Sequence, residues 1–225
     1  MIDVLFSCLK SMEDSNRFSG KPYPAGMEPF PRRLNGQGFF PGGDGLWRHD
    51  DHVSIRSPSP YAFPINGIMF LGNDFGSKVG FQKLKLHENP PTWRHLRVRL
   101  AHANIAGQLG FYTNAYLGLR SDRCALADPI SSTEYDAYCK EFLGFQIQIQ
   151  APKLIVVLGD RPAGLLHQVV QFSFVSNGEA VKGQFQNLRP TVVTVSHPYS
   201  DLNKSDAAKV NEGKILECAW KLASK

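Results

Sequence analysis

Residues Lys153 to Gly159 read Lys-Leu-Ile-Val-Val-Leu-Gly, with apolar side chains at every position from Leu154 to Leu158. A strand of that composition offers no face to water. It must lie inside a sheet covered on both sides, as the central strands of parallel sheets do. Few features of the chain restrict its fold more.

Three further runs fit the same sheet. Gly67-Ile68-Met69-Phe70-Leu71 is short and apolar and empties into the polar loop Gly72-Asn73-Asp74-Phe75-Gly76-Ser77. Phe111 to Tyr116 reads as a second strand, and Thr191 to Ser196 as a β-branched strand ending in His197-Pro198-Tyr199-Ser200-Asp201. Between them lie stretches with helical spacing. Thr92 to Ile105 carries Trp93, Leu96, Leu100 and Ala103, with Arg94, Arg97 and Arg99 interleaved as a solvated face. Ser131-x-x-Glu134 is a capping box for a helix running to about Gln150, with Tyr138, Phe142, Phe145 and Ile149 on one face. Helices are also expected from about Pro162 to Val170 and from about Ser205 to Ala223, with a small hairpin or irregular excursion over Phe172 to Phe185 turning at Asn177-Gly178. Strands alternating with helices predict an α/β fold, a three-layer α/β/α sandwich around a central, mainly parallel, four-stranded sheet.

Residues 65–225 supply all of these elements, and 225 residues at 42% hydrophobic suffice for one sizeable core. Residues 1–64 differ. Pro22, Pro24, Pro29, Pro31 and the glycines from Gly36 to Gly45 break any period, while Phe30, Phe39, Phe40 and Trp47 argue for an irregular arm packed on the domain. His49-Asp50-Asp51 has no second ligand cluster at a defined spacing and reads as a polar turn, so no metal or cofactor is expected. Cys8, Cys124, Cys139 and Cys218 are scattered, as free thiols of a reducing cytosol are. No apolar run approaches the roughly 20 residues that span a bilayer. The expectation is a monomer of the cytosol or nucleoid without membrane contact, and a formal charge of +5 favours an anionic partner.

In an open parallel sheet, ligands bind beyond the carboxyl ends of the strands. The loop from Gly72 to Ser77, Asn114 and His197 each stand at such an end. A strand emptying into a glycine-bounded acidic loop, a strand carrying Thr113-Asn114, a helix leading into Lys153 to Gly159, and a strand ending in His197-Pro198 follow one another in that order. In this order and spacing, over about residues 65 to 222, the chain resembles the uracil-DNA glycosylase superfamily, especially its shorter bacterial branches.

The resemblance implies a DNA base glycosylase acting on uracil-containing or otherwise base-damaged DNA. Asp74 would orient a water toward the sugar C1' and stabilise the oxocarbenium-like cation, and His197 would donate to the developing anion at uracil O2. The Asn114 amide would pair with N3–H and O4. Gly72 and Asn73 would border the base, with Phe81 or Phe75 as its stacking face. Tyr199, flanked by Pro198 and Ser200, would wedge into the emptied stack, and Lys78, Lys83, Arg120 and Arg123 would meet phosphates. Three departures stand out. Phe75 replaces Pro or a small residue, the spacing to Phe81 is short, and Tyr199 replaces a common Ser. The cysteines lack the paired spacing of cluster-bearing relatives, which predicts no iron-sulfur cluster.

Read without the resemblance, Asp74 is a candidate Asx turn, His197 a structural strand-end histidine and Asn114 either a ligand contact or a backbone clasp. Two other functions fit the same frame: a binding protein that keeps the fold without efficient turnover, and a hydrolase of free nucleosides or nucleotides.

Overall fold

The structure is a computed structural model and describes residues 2–15, 17, 23–28, 64–77, 91–121, 133–173, 178–198 and 205–225. Along them run α1 (Ile2–Asp14), β1 (Met27–Glu28), β2 (Ile68–Gly72), α2 (Pro91–His102), β3 (Gly110–Asn114), β4 (Leu119–Arg120), α3 (Thr133–Gln150), β5 (Leu154–Leu158), α4 (Asp160–His167), β6 (Ala180–Lys182), β7 (Thr191–Val195) and α5 (Asp206–Ala223).

Every residue of β2, β3 and β5 is buried, as uninterrupted apolar runs require. They join one sheet of order β3-β2-β5-β7-β6. Its first four strands are parallel: Phe70 faces Tyr112 on one side and Val156 on the other, and Val156 in turn faces Val193. The fifth strand was not expected. Lys182 pairs with Thr191 and Ala180 with Val193, so β6 lies antiparallel along the outer edge of β7. The hairpin-like character of the excursion survives at its base, where Gln171 and Gln184 exchange backbone hydrogen bonds of 2.9 and 2.8 Å. A three-residue strand is too short to show an alternation. Only its docking onto β7 makes it part of the sheet. Asn177 lies outside the described residues.

The order forces the layers. The chain leaves β2 for β3 in one direction and returns past β2 to reach β5, so right-handed crossovers put α2 on one face and α3 and α4 on the other. Accordingly α2 packs with α5, which lies against β5 and β7, whereas α3 packs with α4, and α4 with β5. No helix among the described residues is long and apolar enough to cross a membrane.

The arm proves partly regular, since residues 2–14 form α1. Leu5, Leu9 and Met12 recur at helical spacing and are buried as α1 packs on α3. Polar contacts fix its far end, where Tyr138 Oη donates to Glu13 Oε1 at 3.1 Å and Arg17 pairs with Glu141 at 2.6 Å. Tyr23 packs edge-on against Tyr138 at 5.8 Å, and β1 pairs with β4 through Met27 and Arg120. Residues 29–63, including His49-Asp50-Asp51, and the Ser131 end of the capping box lie outside the described residues.

Candidate functional site

The reversal of direction puts the switch point of the sheet at the carboxyl ends of β2 and β5, where open α/β sheets hold their ligands. Four segments border it: 73–77 after β2, 115–118 after β3, Gly159 after β5 and 196–198 after β7.

The first two segments are stitched together. Gly72 is in register with Asn114. Beyond the sheet, Ala115 N donates to Gly72 O and Tyr116 N to Asn73 O, both at 2.8 Å, and Arg120 N donates to Gly76 O at 2.9 Å. Asp74 is the pivot of this loop. Its Oδ1 accepts from Gly76 N at 2.8 Å, the Asx turn its position predicts, and Gly76 follows at φ +79°, where a side chain would be strained. Its Oδ2 accepts from Asn73 Nδ2 at 2.9 Å and lies 3.2 Å from Arg120 Nε. Arg120 Nε makes no aligned hydrogen bond, so that contact is an ion pair held by charge. Arg120, expected at a phosphate, lies against this carboxylate. The arm takes part, because Met27 pairs with Arg120 and Ser121 N donates to Gly26 O at 2.7 Å.

Asn114 is buried at the end of β3, and a Cβ built on Gly72 would run into its Oδ1. Gly72 is therefore small so that the amide can lie across it. Beside it Thr113 Oγ1 donates to Gln146 Oε1 at 2.5 Å, anchoring the strand end to α3. Phe75 packs half-buried against the core.

An aromatic and cationic cluster that the sequence reading missed adjoins this loop. Arg161, in the first turn of α4, sits 4.9 Å from the Tyr116 ring centroid, and Tyr135 lies 6.1 Å away on the same tyrosine. Burial raises the Tyr116 phenol above its ordinary pKa, the Asp136 charge adds to this, and Arg161 opposes it. Burial likewise drives Tyr135 far upward, with Cys139 and Asp74 contributing, and its hydroxyl donates to Leu117 O. The Cys139 thiol accepts from Leu117 N at 3.4 Å and is pushed up to about 12 by burial. Tyr116 stands two residues beyond Asn114, and Arg161 two beyond the Gly159 that ends the β5 run. Those offsets from strand ends were the available signal.

His197 follows β7, with its Cβ 3.7 Å from where a Cβ on Gly159 would stand, and Gly159 itself has φ +99°. Pro198 is buried behind it. Arg99 corrects the expectation of a solvated arginine face, because it is fully buried. Its Nη1 donates to Ser196 O at 2.7 Å, its Nη2 to Ser196 Oγ at 3.2 Å, and Ser196 Oγ donates to Glu212 Oε1 at 2.6 Å. Arg99 falls three residues after Leu96 and four before Ala103, on the apolar stripe of α2. That spacing was the signal overlooked.

Asp74, Asn114 and His197 thus stand at the carboxyl ends of β2, β3 and β7 on one edge of the sheet. Phe81, Lys78, Tyr199 and Ser200, like Lys83 and Arg123, lie outside the described residues. Among the described residues no group of three His, Cys, Asp or Glu side chains gathers as a metal site.

No protein-family model and no curated protein matches the chain. Among solved structures it is similar to a domain of unknown function (DUF1537) from Bordetella bronchiseptica, crystallised with bound citrate as a domain-swapped dimer. The two share 11% identity at a TM-score of 0.33 over 67% of this chain. The match spans 41% of that chain's own length. A likeness at that level says nothing about chemistry.

Proposed function

We propose that this chain hydrolyses the N-glycosidic bond of uracil, or of a related deaminated base, in DNA. The observation that carries this reading is the placement of Asp74 and Asn114 at the ends of the adjacent strands β2 and β3, beside the switch point between β2 and β5, with His197 at the end of β7 on the same edge. Two strand spacings separate β2 from β7, on the order of 10 Å between strand axes, a span that suits a flat base with a side chain at either edge.

In this mechanism the flipped nucleotide enters at the switch point, base first. As the glycosidic bond stretches, positive charge grows on the sugar and negative charge on the departing base. The Asp74 carboxylate faces the former and aligns a water on C1'. The His197 imidazole donates to uracil O2. The Asn114 amide, held across Gly72, donates to O4 and accepts from N3–H, a pattern that cytosine does not match. Loss of one such donor typically lowers the rate by about 10²–10³-fold. A formal charge of +5 supports approach to a phosphate backbone.

A second reading, binding without efficient turnover, is favoured by one observation. Asp74 already receives Gly76 N, Asn73 Nδ2 and the Arg120 charge, which leaves the carboxylate less free to activate water. Incubating the protein with uracil-containing single- and double-stranded oligonucleotides separates the readings. Abasic-site formation that disappears in Asp74→Asn and His197→Ala is the outcome expected. Salt-sensitive binding without cleavage selects the second reading, and cleavage of nucleosides but not oligonucleotides selects a nucleoside hydrolase.

A further inference from the structure

We infer that Arg99, Ser196 and Glu212 form a positioning clamp that sets the direction of His197 from behind the sheet. As far as it concerns catalysis, this rests on the glycosidase reading above. Arg99 comes from α2, Glu212 from α5 and Ser196 from the end of β7, so three elements meet on one peptide. The Ser196 carbonyl and the His197 nitrogen belong to the same planar peptide unit, and a guanidinium bonded to that oxygen at 2.7 Å fixes the plane from which His197 departs. The Ser196 hydroxyl, between Arg99 Nη2 at 3.2 Å and Glu212 Oε1 at 2.6 Å, locks the adjoining side chain. Arg99 Nη1 also lies 3.5 Å from Glu212 Oε2, so the buried cation has its counter-charge in place.

The helix crossing is shaped to allow this. Gly213 adjoins Glu212, and a Cβ there would stand 3.2 Å from Arg99 O and collide with His102 Cβ. Only a glycine lets α5 approach α2 closely enough for the carboxylate to reach. A helix pair that needed no more than packing would be served by two apolar residues, with less desolvation to offset. On the other side of His197 stands Gly159 at φ +99°, where a Cβ would lie 3.7 Å from the His197 Cβ. Misplacing a reacting group by about 1 Å costs ~10²-fold in rate, the scale on which such a clamp matters.

The test uses Ser196→Ala and Glu212→Gln, the mildest changes to the network, with the His197 ring followed by proton–carbon correlation and assigned through His197→Ala. Both variants are expected to shift the His197 ring signal while that of His167, on α4, stays in place. Single-turnover cleavage of a uracil oligonucleotide falls tenfold or more, on the order expected for misplacement, with oligonucleotide affinity unchanged. A folded variant that melts earlier but leaves the His197 signal and the rate per folded molecule untouched overturns the clamp. Should the wild-type protein cleave no oligonucleotide, the glycosidase reading fails by itself, and the His197 signal still decides whether the clamp exists.

Discussion

Gly72→Ala is the sharpest probe of how the strand ends are assembled. A Cβ at this position would run into Asn114 Oδ1 and stand 3.5 Å from its Cγ and 3.6 Å from Thr113 O. The strands cannot part to make room, because Ala115 N and Tyr116 N bind Gly72 O and Asn73 O at 2.8 Å. The Asn114 amide must therefore swing away, out of its buried seat. Overpacking of this kind costs about 1–3 kcal/mol, and at ~2–4 °C per kcal/mol for a domain of this size the melting temperature should fall by about 2–12 °C. Asn114→Ala removes the obstructing oxygen, so the double variant should recover much of the loss, a coupling of about 1 kcal/mol or more. Thermal melts and urea titrations of the two single variants and the double variant measure this, alongside abasic-site formation, which Gly72→Ala should abolish. Wild-type melting of Gly72→Ala, or losses that sum to within ~0.5 kcal/mol, would refute the geometry.

Other perturbations test other parts of the chain. Arg120→Ala should lower single-turnover cleavage while the salt dependence of DNA affinity stays as in the wild type; a slope reduced by about one would identify a phosphate contact instead. Leu9→Ala on α1 should destabilise the protein by about 2–5 kcal/mol in denaturant titration, because that helix is part of the core. Burial lifts Cys139 from its ordinary 9.0 to about 12 and Tyr23 from 10.0 to about 12, so the unfolded chain sheds these protons first. Stability should be full below about pH 9 and fall between roughly pH 9 and 12, read by denaturant titration at stepped pH. At pH 8 an alkylating reagent should modify exposed Cys218 and spare Cys139 until the protein is unfolded, as mass mapping would show.

Positions in the candidate site were legible wherever they follow from the end of a strand. Asp74 and Asn114 could be located because an apolar run stops and a polar residue follows. The Asx turn followed from the same spacing, and it formed. What Asp74 faces was not legible, since Arg120 reaches it only after β4 pairs with β1 and with Ser77. Arg99 was misread because an arginine among arginines looks solvated. Its partner Ser196 is 97 residues away and supplies the polar groups that make its burial tolerable.

The amino-acid sequence alone determined the alternation of buried strands and helices. Apolar periodicity is a local property, and a strand without a polar side has one environment open to it. It also determined that polar residues gather where strands end. The tertiary structure alone decided the strand order, the fifth strand on the edge of β7, the docking of α1, and the pairing of Arg120 with Asp74 and of Arg99 with Glu212. These are choices among partners distant along the chain, made by the packing of layers, and no local pattern of residues encodes which charge will be buried beside which.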